Sequence, residues 1–196
     1  VVKYFVEEKN ADVKATENAD NTPLHSAARN GHLDVVKYLV EQKDADVKAT
    51  ENYCYKFLQW AAGIGQLDVV KYLVEEKGAD IKAGNKDGCT LLHLAAKYSK
   101  LDVVKYLVEQ RGADVKVADN YGHTPLHWTA RNGNLDVVKY LVGQKNTDIK
   151  ATDNDGRTLL HWAAEYSHLD VVKYLVEEKG ADLKAADNDG RTSVHY

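Results

Sequence analysis

The octapeptide Leu-Asp-Val-Val-Lys-Tyr-Leu-Val occurs verbatim at 33–40, 67–74, 101–108, 135–142 and 169–176, a 34-residue period kept through most of a 196-residue chain. Self-similarity of this kind constrains the fold more than length does. Each copy is one small element that must bury its apolar face against its neighbours, so a stack of repeats is expected in place of a globule around one core. In this register the full repeats are 17–50, 51–84, 85–118, 119–152 and 153–186, with partial repeats at 1–16 and 187–196. Neither end falls on a repeat boundary and the chain has no methionine, so the expectation is a piece of a longer array.

Every repeat follows one local grammar, plainest in Asp153-Asn154-Asp155-Gly156-Arg157-Thr158-Leu159-Leu160-His161-Trp162-Ala163-Ala164. Asp, Asn and Gly make a turn. Thr then caps a short first helix, with Pro23 and Pro125 at its first position. That helix should end in left-handed geometry at Gly31, Gly65 and Gly133, and under more strain at Ser99 and Ser167. A second helix follows at once. Its Leu33, Val35, Val36, Leu39 and Val40 form a broad apolar face, while Asp34 in the first turn and Lys43 in the last suit the helix dipole. It closes at Gly78, Gly112 and Gly180, and at Asp44 and Asn146, residue types that also tolerate left-handed geometry. The second repeat breaks the grammar: Tyr53-Cys54-Tyr55-Lys56-Phe57-Leu58-Gln59 has lost the turn Gly, the capping Thr, the Pro and the His. A lost cap alone costs about 1 kcal/mol, so this repeat is the weakest link or carries a finger rebuilt for another purpose.

The words Thr22-Pro23-Leu24-His25, Thr124-Pro125-Leu126-His127, Ala28-Arg29-Asn30-Gly31-His32 and Gly78-Ala79-Asp80-Ile81 resemble the ankyrin repeat, over essentially the whole chain. The resemblance implies an all-α ankyrin-repeat solenoid of stacked helix-turn-helix units with short β-hairpin fingers, serving chiefly to bind proteins. Two departures stand out. The period is 34 where the family usually has 33, the extra residue falling near Glu75-Glu76-Lys77-Gly78. Lys14, Lys48, Lys82, Lys116, Lys150 and Lys184 stand where the family commonly has Asn.

Composition narrows the function. With 26 basic against 30 acidic residues and a net charge of -4, the chain lacks the basic excess of a nucleic-acid binder. No apolar run approaches the roughly 20 residues that span a bilayer, so no membrane insertion is expected. Cys54 and Cys89 are too few for a disulfide framework, which suits an intracellular, reducing compartment: the cytoplasm, or a host cytosol into which an effector is delivered. His25, His93, His127, His161 and His195 recur once per repeat, and helices about 10 Å apart cannot bring them onto one ion. Their expected role is to bond turn backbone between repeats. Neither a metal, a cofactor, a small-molecule substrate nor a catalytic triad is expected. The recurrent Tyr4, Tyr38, Tyr72, Tyr106, Tyr140 and Tyr174, and Trp60, Trp128 and Trp162, read as packing. The lysine stripe reads as compensated by the aspartate two residues before each lysine.

Candidate binding residues are those that differ between copies on the fingers and at the end of the first helix, which the family typically presents on its concave side. They are Arg29, Tyr53, Tyr55, Tyr98, Tyr121, His123, Arg131, Arg157 and Tyr166. Tyr and Arg combine contact area with directional bonds, which favours them at interface hot spots. The expected function is a protein-protein interaction module or scaffold without catalysis, its partner another protein. The alternative is a structural spacer or regulatory segment of a longer ankyrin-repeat protein whose activity lies in another domain.

Overall fold

The computed structural model describes residues 2–13, 22–42 and 54–196, with Gln42, Cys54 and Tyr55 described as backbone alone. Lys14, Lys43, Asp44, Lys48 and Tyr53 lie outside these residues. Two compact bodies divide the chain, Val1–Ala83 and Gly84–Tyr196. The first contains α1 (Val2–Lys9), α2 (Pro23–Arg29), α3 (Leu33–Gln42), α4 (Cys54–Ile64) and α5 (Leu67–Lys71). The second contains α6 (Leu91–Lys97), α7 (Leu101–Lys105), α8 (Pro125–Arg131), α9 (Leu135–Val142), α10 (Leu159–Glu165) and α11 (Leu169–Lys173), with a last 3₁₀ turn at Ser193–His195.

Within each body a first helix packs on its own second helix and on the next first helix: α2 on α3 and α4, α6 on α7 and α8, α8 on α9 and α10. The first helices can lie close because small residues face the contact; Ala28, Ala61, Ala62, Ala95, Ala96 and Ala163 are fully buried. The second helices contribute Val36, Leu39, Val70, Leu73, Val104 and Leu107 to the same cores. The leucine that opens each second helix stays outside them, and Leu169 is 63% exposed. The apolar face is therefore narrower than its sequence pattern.

Helices α2, α6, α8 and α10 each start with a reciprocal capping box in which histidine replaces the usual glutamate. The Nδ1 atoms of His25, His93, His127 and His161 each accept the backbone N–H of the capping Thr at 3.1 Å. An accepting Nδ1 leaves the proton on Nε2. In His93 and His161 that Nε2–H donates at 3.0 Å to the carbonyls of His123 and Arg191 in the following finger. His93 and His161 thus bond turn backbone between repeats, while His127 Nε2 is buried without a hydrogen-bond partner among the described residues. Where the grammar is missing the helix responds: α4 begins a turn early, at Cys54, and is eleven residues long against seven for α6, α8 and α10.

The thirty-fourth residue is absorbed as a wide π-helical turn at the end of the second helix, at Tyr72–Glu76, Tyr106–Gln110 and Tyr174–Glu178. The left-handed Gly78, Gly112 and Gly180 then close it, the next amide bonding back six residues, as from Ala79 to the Leu73 carbonyl at 3.0 Å. The fourth repeat departs from the expected ending. There Gly143 stands where the other repeats have Glu, α9 stops at Val142 without the wide turn, and Asn146 is not left-handed. A glycine inside the last turn removes the helix former that would carry the chain to Asn146. Ser99 and Ser167 do adopt left-handed geometry, each at φ 59°. Among the described residues the fingers form no strands, only isolated bridges between Thr152 and Thr158 and between Ala186 and Thr192.

Candidate protein-interaction surface

In the Gly84–Tyr196 body each finger is folded around one side chain. Asp119 Oδ1 accepts the amides of Tyr121 and His123, both at 2.9 Å, and Asp153 does the same for Asp155 and Arg157. In the third repeat Asn85 does it for Asp87 and Cys89. Fingers are then tied to one another by asparagines: the Asn120 side chain donates to the Lys86 carbonyl, Asn154 to that of Asn120 and Asn188 to that of Asn154, at 3.0–3.1 Å. Gly88, Gly122 and Gly156 are left-handed and lie under these asparagines, where a Cβ would stand 2.5–2.6 Å from the amide oxygen. A carboxylate has a second oxygen to offer, and the indole Nε1–H of Trp128 donates to Asp119 at 3.2 Å and that of Trp162 to Asp153 at 3.0 Å. Asn85, without that acceptor, is paired nine residues on with Leu94 instead of Trp.

Cations at the ends of the first helices cover the indoles. Arg29 lies 5.5 Å from the Trp60 ring, Lys97 lies 4.4 Å from Trp128, and Arg131 lies 5.3 and 5.4 Å from Trp128 and Trp162. Trp162 also carries Arg157 at 4.0 Å and stacks on Tyr166.

The candidate binding residues divide accordingly. Tyr98, Tyr121 and Tyr166 stand out, 52%, 57% and 39% exposed. Arg29 and Arg131 lie along the same helix ends with their guanidinium groups on tryptophan. His123 and Arg157 are drawn inward. His123 sits between Asp119 at 3.2 Å and Asp153 at 3.6 Å, edge-on to Trp162, and Arg157 is ion-paired with Asp153, Asp155 and Glu165. Tyr53 and the Tyr55 side chain lie outside the described residues. The finger carboxylates, the indole-to-finger bonds and the asparagine ladder were missed in the sequence. Their one signal there was the joint change of Asp to Asn85 and Trp to Leu94.

Along the lysine stripe the carboxylates of Asp80, Asp114, Asp148 and Asp182 accept the backbone amides of Lys82, Lys116, Lys150 and Lys184. Among the second-helix tyrosines, Tyr72, Tyr106 and Tyr174 are buried. The hydroxyls of Tyr38, Tyr72 and Tyr140 donate to Glu7, Glu41 and Glu109 of the preceding repeat.

An open cleft of about 300 Å³ lies between the third and fourth repeats, beside Leu94 and walled by Lys97, Tyr121, Trp128 and Arg131. Cys89 is buried at its side, its thiol pushed up to about 12 by burial and by the Asp119 charge. Burial opposes ionisation of Asp119, yet the amides of His123 and Tyr121, the His123 charge and the Trp128 indole hold its carboxyl below the ordinary range. Burial also keeps His127 neutral, its imidazole lowered to about 4. Among the described residues no three His, Cys, Asp or Glu side chains are grouped so as to hold a metal ion, and no helix is long and apolar enough to cross a membrane.

Helix pairs stacked through small-residue contacts, with capped first helices and bonded fingers, define an all-α repeat protein of the solenoid class. The sequence pattern described as ankyrin repeats, three copies, matches residues 1–51, 58–153 and 145–196, and a many-copy pattern matches 31–74. The chain belongs to the ankyrin-repeat family, whose members generally act as protein-protein interaction modules. No curated protein matches it.

Proposed function

We propose that this chain binds another protein through the finger and first-helix-end surface of the Gly84–Tyr196 body, with Tyr98, Tyr121 and Tyr166 as anchors and no chemistry of its own. The observation that carries this is the contrast between tyrosines of one chain. In the Gly84–Tyr196 body Tyr106 and Tyr174, at the position identical in every repeat, are buried and Tyr140 is half-buried, while Tyr98, Tyr121 and Tyr166, at positions that vary, stand in solvent. A rigid base supports these anchors: the ladder through Asn120, Asn154 and Asn188 fixes the fingers, so little side-chain and loop entropy remains to be lost on binding. Binding without catalysis is also supported by how the reactive groups are used. His93 and His161 cap helices and bond the next finger, and Asp119 and Asp153 hold finger backbone.

The test is affinity capture from cell lysate with the whole chain, beside a Tyr98→Ala, Tyr121→Ala, Tyr166→Ala triple variant. A protein held by the first and lost by the second is expected. Each single change should then weaken the purified complex by more than about 1 kcal/mol, with melting unchanged. Equal retention by both chains would sink the tyrosine surface as the docking site.

A further inference from the structure

Three first-helix positions related by the repeat, Leu94, Trp128 and Trp162, show what the cleft is. In the fourth and fifth repeats an indole fills this place and donates to the finger carboxylate, at 3.2 Å for Trp128 and 3.0 Å for Trp162. In the third repeat Leu94 leaves most of that volume open, and the 300 Å³ beside it is room for one large side chain and its neighbour. The lining carries two cations, Lys97 and Arg131, and two carboxylates, Asp87 and Asp119. Lys97 and Arg131 both stand over the Trp128 ring, at 4.4 and 5.3 Å, hence within about 10 Å of each other and inside one Debye length. Among the described residues neither makes an ion pair, in contrast to Arg157, which has three carboxylates.

The acids near the cleft do not answer these cations. Asp119 is taken up on one oxygen by the amides of Tyr121 and His123 and on the other by the Trp128 indole and the His123 ring. Asp87, on the third finger, also lines the cleft, and among the described residues it forms no ion pair with Lys97 or Arg131. Lys97, without an ion pair over the Trp128 ring and beside an open space of aromatic size, offers a cation to an anion joined to an apolar ring, with Arg131, which lies between Trp128 and Trp162, on the same lining.

We propose that this cleft receives an acidic, aromatic-bearing peptide segment of the partner, its carboxylate clamped between Lys97 and Arg131 and its ring lying against Leu94 and Trp128. The assignment rests on the reading of the chain as an interaction module and gives that surface its specificity. Tyr121 lines the opening, so a chain passing over this anchor would lay one side chain into it.

The probe is the blocked tetrapeptide acetyl-Gly-Glu-Phe-Gly-amide, titrated into the ¹⁵N-labelled whole chain while the indole Nε1–H signals of Trp60, Trp128 and Trp162 are followed. A saturable shift at Trp128 at millimolar peptide is expected, with Trp60 unmoved and the Gln-for-Glu peptide about fivefold weaker. The Asn85→Asp, Leu94→Trp double variant writes the fourth-repeat pattern into the third and should weaken binding about tenfold. If that variant melts early, Lys97→Gln against Lys97→Arg decides, the first losing the Glu preference and the second keeping it. Equal shifts from Glu and Gln peptides, no shift at Trp128, or full binding by a folded filled variant would overturn the proposal. Lysate capture that still depends on the three tyrosines would then leave the interaction reading standing and remove the cleft alone. A Glu-dependent Trp128 shift without such capture would keep the cleft and remove the tyrosine surface.

Discussion

The second repeat has an eleven-residue first helix, Cys54–Ile64, and a second helix that keeps its wide last turn at Tyr72–Glu76. In the fourth repeat the first helix keeps seven residues, Pro125–Arg131, while the second stops at Val142 without the wide turn. The faults are opposite and each stays where it was written. With Lys56 in place of the capping Thr and Cys54 in place of the turn glycine, nothing stops the second repeat's helix from growing backwards into its finger. With Gly143 in place of Glu, nothing carries the fourth repeat's helix forward. Helix ends are therefore set by the few residues at each end, while the apolar pattern holds the middles in register. Fingers can change from copy to copy without loss of the stack.

The sharpest way to break the contrast is to damage the intact finger of the fourth repeat. Gly122→Ala asks a residue with a Cβ to hold φ +80° with the Asn154 amide oxygen at 2.5 Å and the Asn154 backbone nitrogen at 2.7 Å. The backbone strain and the forced parting of two fingers should cost about 3–4 kcal/mol, read as a fall in urea midpoint. Cys54→Gly, at the equivalent place in the second repeat, should cost about 1 kcal/mol or less, since the backbone there is the first residue of a helix. Similar losses at both sites would mean that the second finger depends on a glycine-like turn after all.

A smaller effect comes from writing the second repeat's Gln59 into the fourth. Gln59 Nε2 is buried without a partner among the described residues, and so is His127 Nε2, so the difference between the two lies at the histidine Nδ1. His127 Nδ1 accepts the Thr124 amide at 3.1 Å, so His127→Gln should cost about 2 kcal/mol at pH 7.5. The cost should depend on pH with a definite sign. His127 is lowered from 6.5 to about 4 in the folded chain, first by burial, so below about pH 6.5 the unfolded chain binds a proton that the folded one refuses. Its contribution is whole above pH 6.5 and is lost as pH falls toward 4, about 2–3 kcal/mol in all. The variant lacks this group, so the two urea midpoints should converge between pH 7.5 and 4.5. Parallel curves would show that His127 does not titrate against folding.

Much of this was legible in the sequence because it is written by periodicity. The capping Thr, the left-handed Gly31, Gly65 and Gly133 and the left-handed Ser99 and Ser167 all follow from one position recurring every 34 residues. The contacts between repeats were not legible. Nothing about Asn154 alone says that its side chain donates to Asn120, or that Arg131 lies over Trp162, because those pairs are joined by stacking and are 34 and 31 residues apart. For the candidate site the sequence offered only the positions at which Tyr and Arg vary between copies. Which of them stay in solvent depended on neighbours: Arg157 is drawn in by Asp153, Asp155 and Glu165, while Tyr98, with Lys97 over its ring, and Tyr121, stacked on His123, remain about half exposed.

The gentlest test repairs the fourth repeat's fault. Glu41 accepts the Tyr72 hydroxyl at 3.0 Å and pairs with Lys77 at 3.3 Å, and Glu109 accepts the Tyr140 hydroxyl at 2.9 Å. Tyr174 has the same surroundings, with Lys139 and Lys179 at 5.4 and 5.3 Å from its ring, but faces Gly143 where the carboxylate belongs. Gly143→Glu supplies a helix former and that carboxylate together, and should raise stability by about 1 kcal/mol. A Cβ there meets the carbonyls of Tyr140 and Lys139 at 3.3 and 3.4 Å, so the chain must close slightly toward helix to take it, which is the direction of the wide turn. Gly143→Gln separates the causes: it keeps the helix former and a neutral acceptor, so a gain equal to that of Glu assigns the fault to backbone propensity, and a smaller one assigns the remainder to the charge between the two lysines. No gain from either would place the early stop of α9 with Asn146 and Thr147, whose hydroxyl bonds the Leu141 carbonyl, and not with Gly143.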